Sequence, residues 1–237
     1  MTVDSRVTDI DWTEVGQRLD AEGCAVAHGL VLPAEARGLT ESYVQAELFR
    51  SRVIMGRHGF GKGEYQYFRY PLPALVAELR TALYPRLSGI ANRWNRAMNI
   101  DVGYPEAHAP FLERCHAAGQ TEATPLLLKY GVNDYNCLHQ DLYGEHVFPL
   151  QVAVLLSEPA RDFSGGEFVL TEQRPRMQSR TEVVTLGRGD AVIFPVRHRP
   201  VQGTRGVYRV NMRHGVSRIR AGHRMTLGII FHDAASN

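Results

Sequence analysis

The chain has 237 residues, which is long enough to bury a substantial core without disulfides or structural metals. Its 27 basic and 25 acidic residues nearly balance, so no overall basic field indicates a nucleic-acid partner. Three scattered cysteines, an acid-containing N-terminus and the lack of an apolar stretch near twenty residues argue against disulfide-rich, secreted and membrane-spanning classes, and predict a cytoplasmic protein.

The N-terminal residues predict a helix, a strand and a second helix. Residues 12–22 have the amphipathic pattern of a short helix, with Asp11 as its N-cap. Residues 24–30 are typical of a strand, and Pro33 is favoured as the opening residue of a helix over 34–48.

The middle of the chain predicts helices that cover one face of a later sheet. The segment 59–70 is rich in aromatic residues and indicates extended chain. Apolar residues recur every three or four positions over 75–98, which predicts a helix that Pro85 kinks or divides. Another helix is expected over 105–118.

From Thr124 onward the pattern changes to short β-rich runs separated by turn residues such as Gly165-Gly166 and Gly189-Asp190. Seven or eight strands at this spacing favour a sandwich or barrel. The expected strands are 125–132, 137–141, 147–156, 166–171, 181–186, 191–196, 208–216 and 225–231. We expect a single domain over 1–237, mainly helical over 1–120 and β-rich over 121–237.

The sequence His139-Gln140-Asp141, with His214 far downstream, fits a metal site of two histidines and one carboxylate. On an extended strand, residues i and i+2 point to the same side, so His139 and Asp141 can converge on one ion. This ligand set suits non-haem Fe(II) and leaves coordination positions open for a co-substrate and O2. His198 is a competing ligand, but its spacing to a following arginine is poorer than that of His214, and we expect it at the rim of the site.

These residues resemble the motif of the Fe(II)/2-oxoglutarate dioxygenases, in which an arginine follows the second histidine by about ten residues, as Arg224 follows His214. The resemblance implies an α+β fold, with a double-stranded β-helix (jelly-roll) core and an N-terminal layer of helices packed on one sheet. It also implies Fe(II) as the cofactor, with 2-oxoglutarate and O2 as co-substrates.

The same resemblance assigns three residues to 2-oxoglutarate. Arg224 would hold the distal carboxylate in a charge-assisted pair, and Thr226, two positions along the strand, would add a hydroxyl donor. Tyr130 precedes His139 by nine residues, the spacing at which such enzymes often place a co-substrate tyrosine.

Leu138-His139-Gln140-Asp141 and His214-Gly215-Val216 further resemble the AlkB-type repair dioxygenases of alkylated nucleic acid. Longer runs resemble a bacterial family of oxygenases that act on damaged DNA, which implies oxidative demethylation. Those runs are His139 to His146, Gly165 to Phe168, His198 to Gly203 and Gly228 to Asp233.

Two departures keep alternatives open. Residues 228–231 lack the second arginine of AlkB-type enzymes, and Leu128-Lys129-Tyr130 lacks the asparagine of their Asn-x-Tyr motif. The site is equally similar to prolyl-hydroxylase-type enzymes, which would hydroxylate a protein side chain or a small metabolite. A non-catalytic metal-binding β-barrel is a further alternative.

The arginine-rich region 174–220 is the expected contact for a nucleic-acid substrate, because arginine suits phosphate. An aromatic residue such as Tyr143 or Phe148 would then stack on an extruded base. Solvated strand faces are the competing interpretation of the arginines. The sequence predicts no oligomeric state.

Overall fold

The computed structural model describes residues 1–236. Its helices are α1 Val3–Thr8, α2 Trp12–Ala21, α3 Pro33–Glu41, α4 Ala74–Ala97 and α5 His108–Ala117. Its strands are β1 Ala25–Ala27, β2 Phe49–Ile54, β3 Gly61–Lys62, β4 Glu64–Phe68, β5 Leu126–Tyr130, β6 Tyr135–His139, β7 Leu150–Leu155, β8 Phe163–Gly165, β9 Phe168–Gln173, β10 Arg180–Val184, β11 Ala191–Pro195, β12 His198–Gly203, β13 Gly206–Val216, β14 Ile219–Gly222 and β15 Arg224–Ile229.

Most of the strands form two antiparallel sheets. The major sheet has seven strands in the order β1-β11-β7-β15-β5-β4-β2. The minor sheet has the order β10-β9-β13-β6-β3, and β12 pairs with β13 outside this path. Because inward-facing residues of both sheets line one cavity, the two sheets enclose it between them. This is the jelly-roll arrangement expected from the sequence.

The long helix α4 packs on the outer face of the major sheet. Leu83, Leu87 and Trp94 of this helix belong to the same buried cluster as Val152 of β7 and Leu227 of β15. Because alternate residues of a strand face opposite sides of a sheet, the residues next to Val152 and Leu227 face the cavity. The predicted helical layer on one sheet is therefore confirmed.

The helix boundaries follow their local sequence signals. Asp11 caps α2, since its carboxylate accepts hydrogen bonds from the backbone N–H of Thr13 and Glu14. Helix α3 ends at Glu41, earlier than expected, and α4 continues through Pro85 without a break. No helix of residues 1–236 is both long enough and apolar enough to cross a membrane.

The N-terminal half also contributes strands to both sheets. Strands β1, β2 and β4 extend the major sheet, and β3 pairs with β6 at an edge of the minor sheet. The short 3₁₀ helices Ala46–Leu48 and Met55–Arg57 flank β2. The first 120 residues therefore build part of the sheets as well as the layer of helices.

Phe148 is a core residue, so the prediction that it stacks on a substrate base is wrong. Its side chain is fully buried, and its ring centroid lies 4.9 Å from that of Tyr84, 5.0 Å from Tyr104 and 5.2 Å from Phe231. These rings join α4 and the C-terminal segment to the start of β7. Sequence alone does not distinguish such an aromatic from one that faces a ligand.

Replacing Phe148 with alanine should lower the free energy of unfolding by about 3–5 kcal/mol, because the cavity left in this aromatic cluster cannot collapse fully. Phe60, which is about half exposed, is the matched control, and Phe60→Ala should change stability by less than about 1 kcal/mol. Urea unfolding of both variants measures the difference. Similar losses in the two variants would contradict a core role for Phe148.

Candidate active site

The pairing of β6 with β13 brings the two predicted histidine ligands together. His139 and His214 lie opposite each other in this antiparallel pair, with ring centroids 4.2 Å apart. Asp141 follows β6 by two residues, and its carboxylate oxygens lie 3.5 Å from His139 Nε2 and 3.3 Å from His214 Nε2. One potential ligand atom of each residue lies within 4.8 Å of the others, so the three could hold one metal ion.

The hydrogen bonds of the group orient these ligand atoms. A carbonyl can only accept, so His139 Nδ1 donates to the backbone oxygen of Cys137 at 2.8 Å, which leaves the Nε2 lone pair facing Asp141. Asp141 accepts a hydrogen bond of 2.8 Å from the hydroxyl of Tyr143. That hydroxyl in turn accepts one of 2.9 Å from Tyr67. The carboxylate is thus held by a chain of two tyrosines.

The protonation states also suit metal binding. Burial alone raises the pKa of Asp141, but the hydrogen bond and charge of His214, with His139 and Tyr143, outweigh it and hold this pKa well below its ordinary value. Burial lowers the pKa of His214. At neutral pH the group therefore contains an ionised carboxylate and a neutral imidazole, the forms in which these side chains bind a transition metal.

Arg224 is a buried cation without an anionic partner. It is 1% exposed at the start of β15, and no atom of residues 1–236 accepts a hydrogen bond from its Nε. The other two fully buried arginines, Arg80 and Arg199, pair with Asp233 and Glu172. Burial lowers the pKa of Arg224 to about 10, so the guanidinium is still charged at neutral pH. Such a group favours an anionic ligand.

The other predicted co-substrate residues lie beside Arg224. Its Nη1 donates a hydrogen bond to the hydroxyl of Thr226, and Tyr130 is its direct neighbour across the β5–β15 pair. The hydroxyl of Tyr130 accepts a hydrogen bond of 3.3 Å from Asn136, which the sequence did not single out. A side-chain amide from β6 therefore contacts Tyr130, although Leu128 occupies the position of the asparagine in the Asn-x-Tyr motif.

A cavity of about 330 Å³ connects the histidine–aspartate group to Arg224. Its walls are mainly apolar and aromatic. Among the side chains lining it, Asp141 and Arg224 are the only ones that carry a permanent charge. The residues facing it include Tyr65, Tyr67, Leu126, Leu128, Gln151, Ala153, Phe168, Phe194 and Gly228.

The sequence does not single out three residues of this site, and it predicts a fourth, Tyr143, only as an aromatic that stacks on a base. Tyr143 continues the alternation of His139 and Asp141, and this period of two could have found it. Gln151 is the polar member of the otherwise apolar strand β7, which is also a readable signal. Tyr67 and Asn136 depend on pairing across strands and carry no local signal.

His198 is not part of the ligand group. It lies on β12 opposite Asn211, three positions before His214 on β13. Of the other histidines, His232 is fully buried, and its Nδ1 accepts a hydrogen bond from the backbone N–H of Phe148. It therefore has a structural contact in the core.

The arginine-rich region 174–220 is only partly available to a ligand. Arg174, Arg180 and Arg199 surround the buried carboxylate of Glu172, and Arg199 is itself 1% exposed. Arg199 therefore cannot contact phosphate. The arginines of the region that remain exposed, apart from Arg180, are Arg176, Arg197, Arg205, Arg209, Arg213, Arg218 and Arg220.

Comparisons with known proteins give the family. Residues 63–234 match a family described as an oxygenase catalysing oxidative methylation of damaged DNA. An uncharacterized protein of Mycobacterium tuberculosis is 51% identical over 168 residues, which cover 71% of this chain and 72% of that relative.

Solved structures share the fold at low identity. A prolyl-4-hydroxylase from Pseudomonas putida is 13% identical and matches with a TM-score of 0.54 over 95% of this chain and 100% of that one. An oxidoreductase of the 2OG-Fe(II) oxygenase family from Burkholderia pseudomallei is 16% identical, with a TM-score of 0.54 over 96% and 94% of the two chains.

These matches confirm the predicted fold and the predicted superfamily, and His139, Asp141 and His214 could hold the metal ion of such an enzyme. The match at residues 63–234 covers well over half of the chain. The chain therefore belongs to the family of oxygenases described as acting on damaged DNA, within the Fe(II)/2-oxoglutarate dioxygenase superfamily.

Proposed function

We propose that this protein is an Fe(II)- and 2-oxoglutarate-dependent dioxygenase that hydroxylates a C–H bond of alkylated DNA, so that an N-methyl group is lost as formaldehyde. One observation carries the proposal. The group His139, Asp141 and His214 faces the same cavity as Arg224, a buried cation that pairs with no carboxylate of residues 1–236.

In this proposal the histidine Nε2 atoms and the carboxylate of Asp141 hold the iron, a ligand set that suits Fe(II). When bound, the iron supplies the oxidation of the substrate C–H bond by O2 as 2-oxoglutarate becomes succinate and CO2. The protein positions the ligand atoms: the backbone oxygen of Cys137 orients the ring of His139, and the hydroxyl of Tyr143 holds one oxygen of Asp141.

Arg224 would bind the distal carboxylate of 2-oxoglutarate through charge-assisted hydrogen bonds, which are the strongest kind available to a carboxylate. The hydroxyl of Thr226 contacts the guanidinium, and the ring centroid of Tyr130 lies 5.8 Å from Arg224 Cζ. Both hydroxyls would add donors. Phe168, Phe194 and similar side chains line the cavity and exclude water, which strengthens each of these polar contacts.

DNA is the favoured substrate because of the family description, and the exposed arginines of 174–220 could contact its phosphates. A second candidate is hydroxylation of a protein side chain or small metabolite. It is favoured by the commitment of Arg174, Arg180 and Arg199 to Glu172, which leaves fewer cations for a polyanion.

Wild-type protein reconstituted anaerobically with Fe(II) should convert 2-oxoglutarate to succinate once O2 is added. Asp141→Ala should lose this activity, because the iron loses its only carboxylate ligand. Asp101→Ala, which removes an exposed carboxylate far from the ligand group in sequence, should retain it. Methylated single-stranded DNA should raise succinate and release formaldehyde. Succinate that depends on Asp141 but not on DNA would favour the second candidate.

Replacing Arg224 with methionine should raise the KM for 2-oxoglutarate by about 30-fold or more, since truncating one partner of a buried charge pair costs about 2–5 kcal/mol. Arg37→Met, on the exposed side of α3, should leave this KM within about twofold. Steady-state succinate assays measure both values. An unchanged KM in Arg224→Met would place the co-substrate elsewhere.

Replacing Tyr143 with phenylalanine should weaken metal binding by about 10- to 100-fold, the usual effect of losing a hydrogen bond to a ligating residue. Tyr67→Phe should have a smaller effect, because it keeps the bond from Tyr143 to Asp141. Anaerobic Co(II) titration followed by absorbance reads affinity without turnover. Equal affinity of Tyr143→Phe and wild type would show that this bond does not position the carboxylate.

A further inference from the structure

Gln151 has a buried side-chain amide whose oxygen has no hydrogen-bond donor among residues 1–236. Its side chain faces the cavity from β7, and the residue is 4% exposed. Two other buried glutamines are satisfied: Gln66 donates to the backbone oxygen of Tyr43 at 2.8 Å, and Gln120 contacts several backbone groups. A buried polar group is usually paired, and Gln151 is an exception that faces an open cavity, where a ligand can supply the partner.

The register of the strands places Gln151 at the far end of the cavity from Arg224. Gly228 of β15 pairs with Ala153 of β7, and Gln151 lies two residues beyond Ala153 on the side away from Arg224. The guanidinium of Arg224 contacts Thr226, and four strand positions of about 3.4 Å, or roughly 14 Å along the sheet, separate Thr226 from Gln151. A five-carbon dicarboxylate with bonds of about 1.5 Å is much shorter than this. Gln151 therefore faces space that 2-oxoglutarate held by Arg224 would leave free.

The surroundings of Gln151 define the chemistry of what binds there. The cavity residues beside Gln151 on the neighbouring strands are Tyr67, Leu126, Ala153 and Gly228, none of which carries a charge. The nearest charged group, Asp141, is reached from Tyr67 through Tyr143 and belongs to the metal ligands. An ionic substrate group would lose its hydration here without gaining a partner. The ligand group is accordingly neutral and largely apolar, with one hydrogen-bonding edge. A carboxamide offers a donor and an acceptor side by side, which matches the edge of a nucleobase.

We propose that Gln151 is a specificity residue that binds the hydrogen-bonding edge of a neutral base. The base would lie on the opposite side of the metal ligands from 2-oxoglutarate. This inference rests on the proposed function and names the substrate group that the site recognises. The aromatic side chains of the cavity would cover the faces of the base, while the Gln151 amide would form hydrogen bonds with its edge.

Gln151→Leu tests this role, with Gln66→Leu as the matched control. Because the Gln151 amide makes no hydrogen bond through its oxygen, Gln151→Leu should leave the Tm unchanged or raised, whereas Gln66→Leu should lower it. Gln151→Leu should raise the KM for a methylated single-stranded oligodeoxynucleotide by about 10- to 100-fold, the size of a lost buried hydrogen bond. The KM for 2-oxoglutarate should stay within about twofold.

Three results would overturn the proposal. A fall in Tm as large as that of Gln66→Leu would make Gln151 a structural residue, and a raised KM for 2-oxoglutarate would make it a co-substrate residue. Wild-type turnover of a proline-containing peptide, lost in Gln151→Leu, would assign the edge to a peptide. Failure of the proposed function itself is distinguishable, because wild-type protein would then form succinate without oxidising the oligonucleotide, or form none.

Discussion

The site depends on one constraint, the register of β13 against β6. It sets His214 opposite His139, and a slip of one residue would turn either side chain to the outer face of the sheet. Gly215 permits the close approach that this register needs, since a Cβ there would lie 2.7 Å from the backbone oxygen of Asn136. The pairing is irregular just after His214, where the two strands shift register. The ligand group is therefore a product of strand pairing as much as of its own residues.

The two faces of the major sheet have different roles, which explains how the fold tolerates polar groups on its inner face. On the outer face, α4 and the aromatic cluster around Phe148 provide the apolar burial that stabilises the fold. Arg80 of α4 and Asp233 near the C-terminus form a buried ion pair that ties the end of the chain to this layer. The larger apolar cluster lies outside the sheet, and the second cluster, between the sheets, draws on β7, β9, β11 and β13 but not on β15. The inner face of β15 can therefore hold groups that stability alone would not select.

The sequence predicted what is local. The spacing of His139 and Asp141, the position of Arg224 relative to His214 and the helical period over 75–98 all reflect neighbours along one strand or helix. Tyr67 and Asn136 were missed because each reaches the site through contacts with residues that other segments supply. Phe148 was misassigned because an aromatic in a β-rich region can face either side of a sheet. The sequence predicts too many phosphate contacts in the arginine-rich region, because three of its arginines bind Glu172, and Glu172 is distant from Arg199 in sequence.

Buried polar atoms without a hydrogen-bond partner reduce stability, and those that face the cavity indicate where a ligand binds. Arg224 Nε and Gln151 Oε1 lack partners at opposite ends of one cavity, and the histidine–aspartate group lies against the same space. Seven buried side-chain atoms of residues 1–236 lack a partner, and those of Gln151, His214 and Arg224 face this cavity, where a ligand can supply the missing partner. The difference in charge between Arg224 and Gln151 matters more than the number of such atoms. A cation at one end and a neutral amide at the other require two chemically distinct ligand groups, as a dioxygenase with an anionic co-substrate and a neutral substrate group would supply.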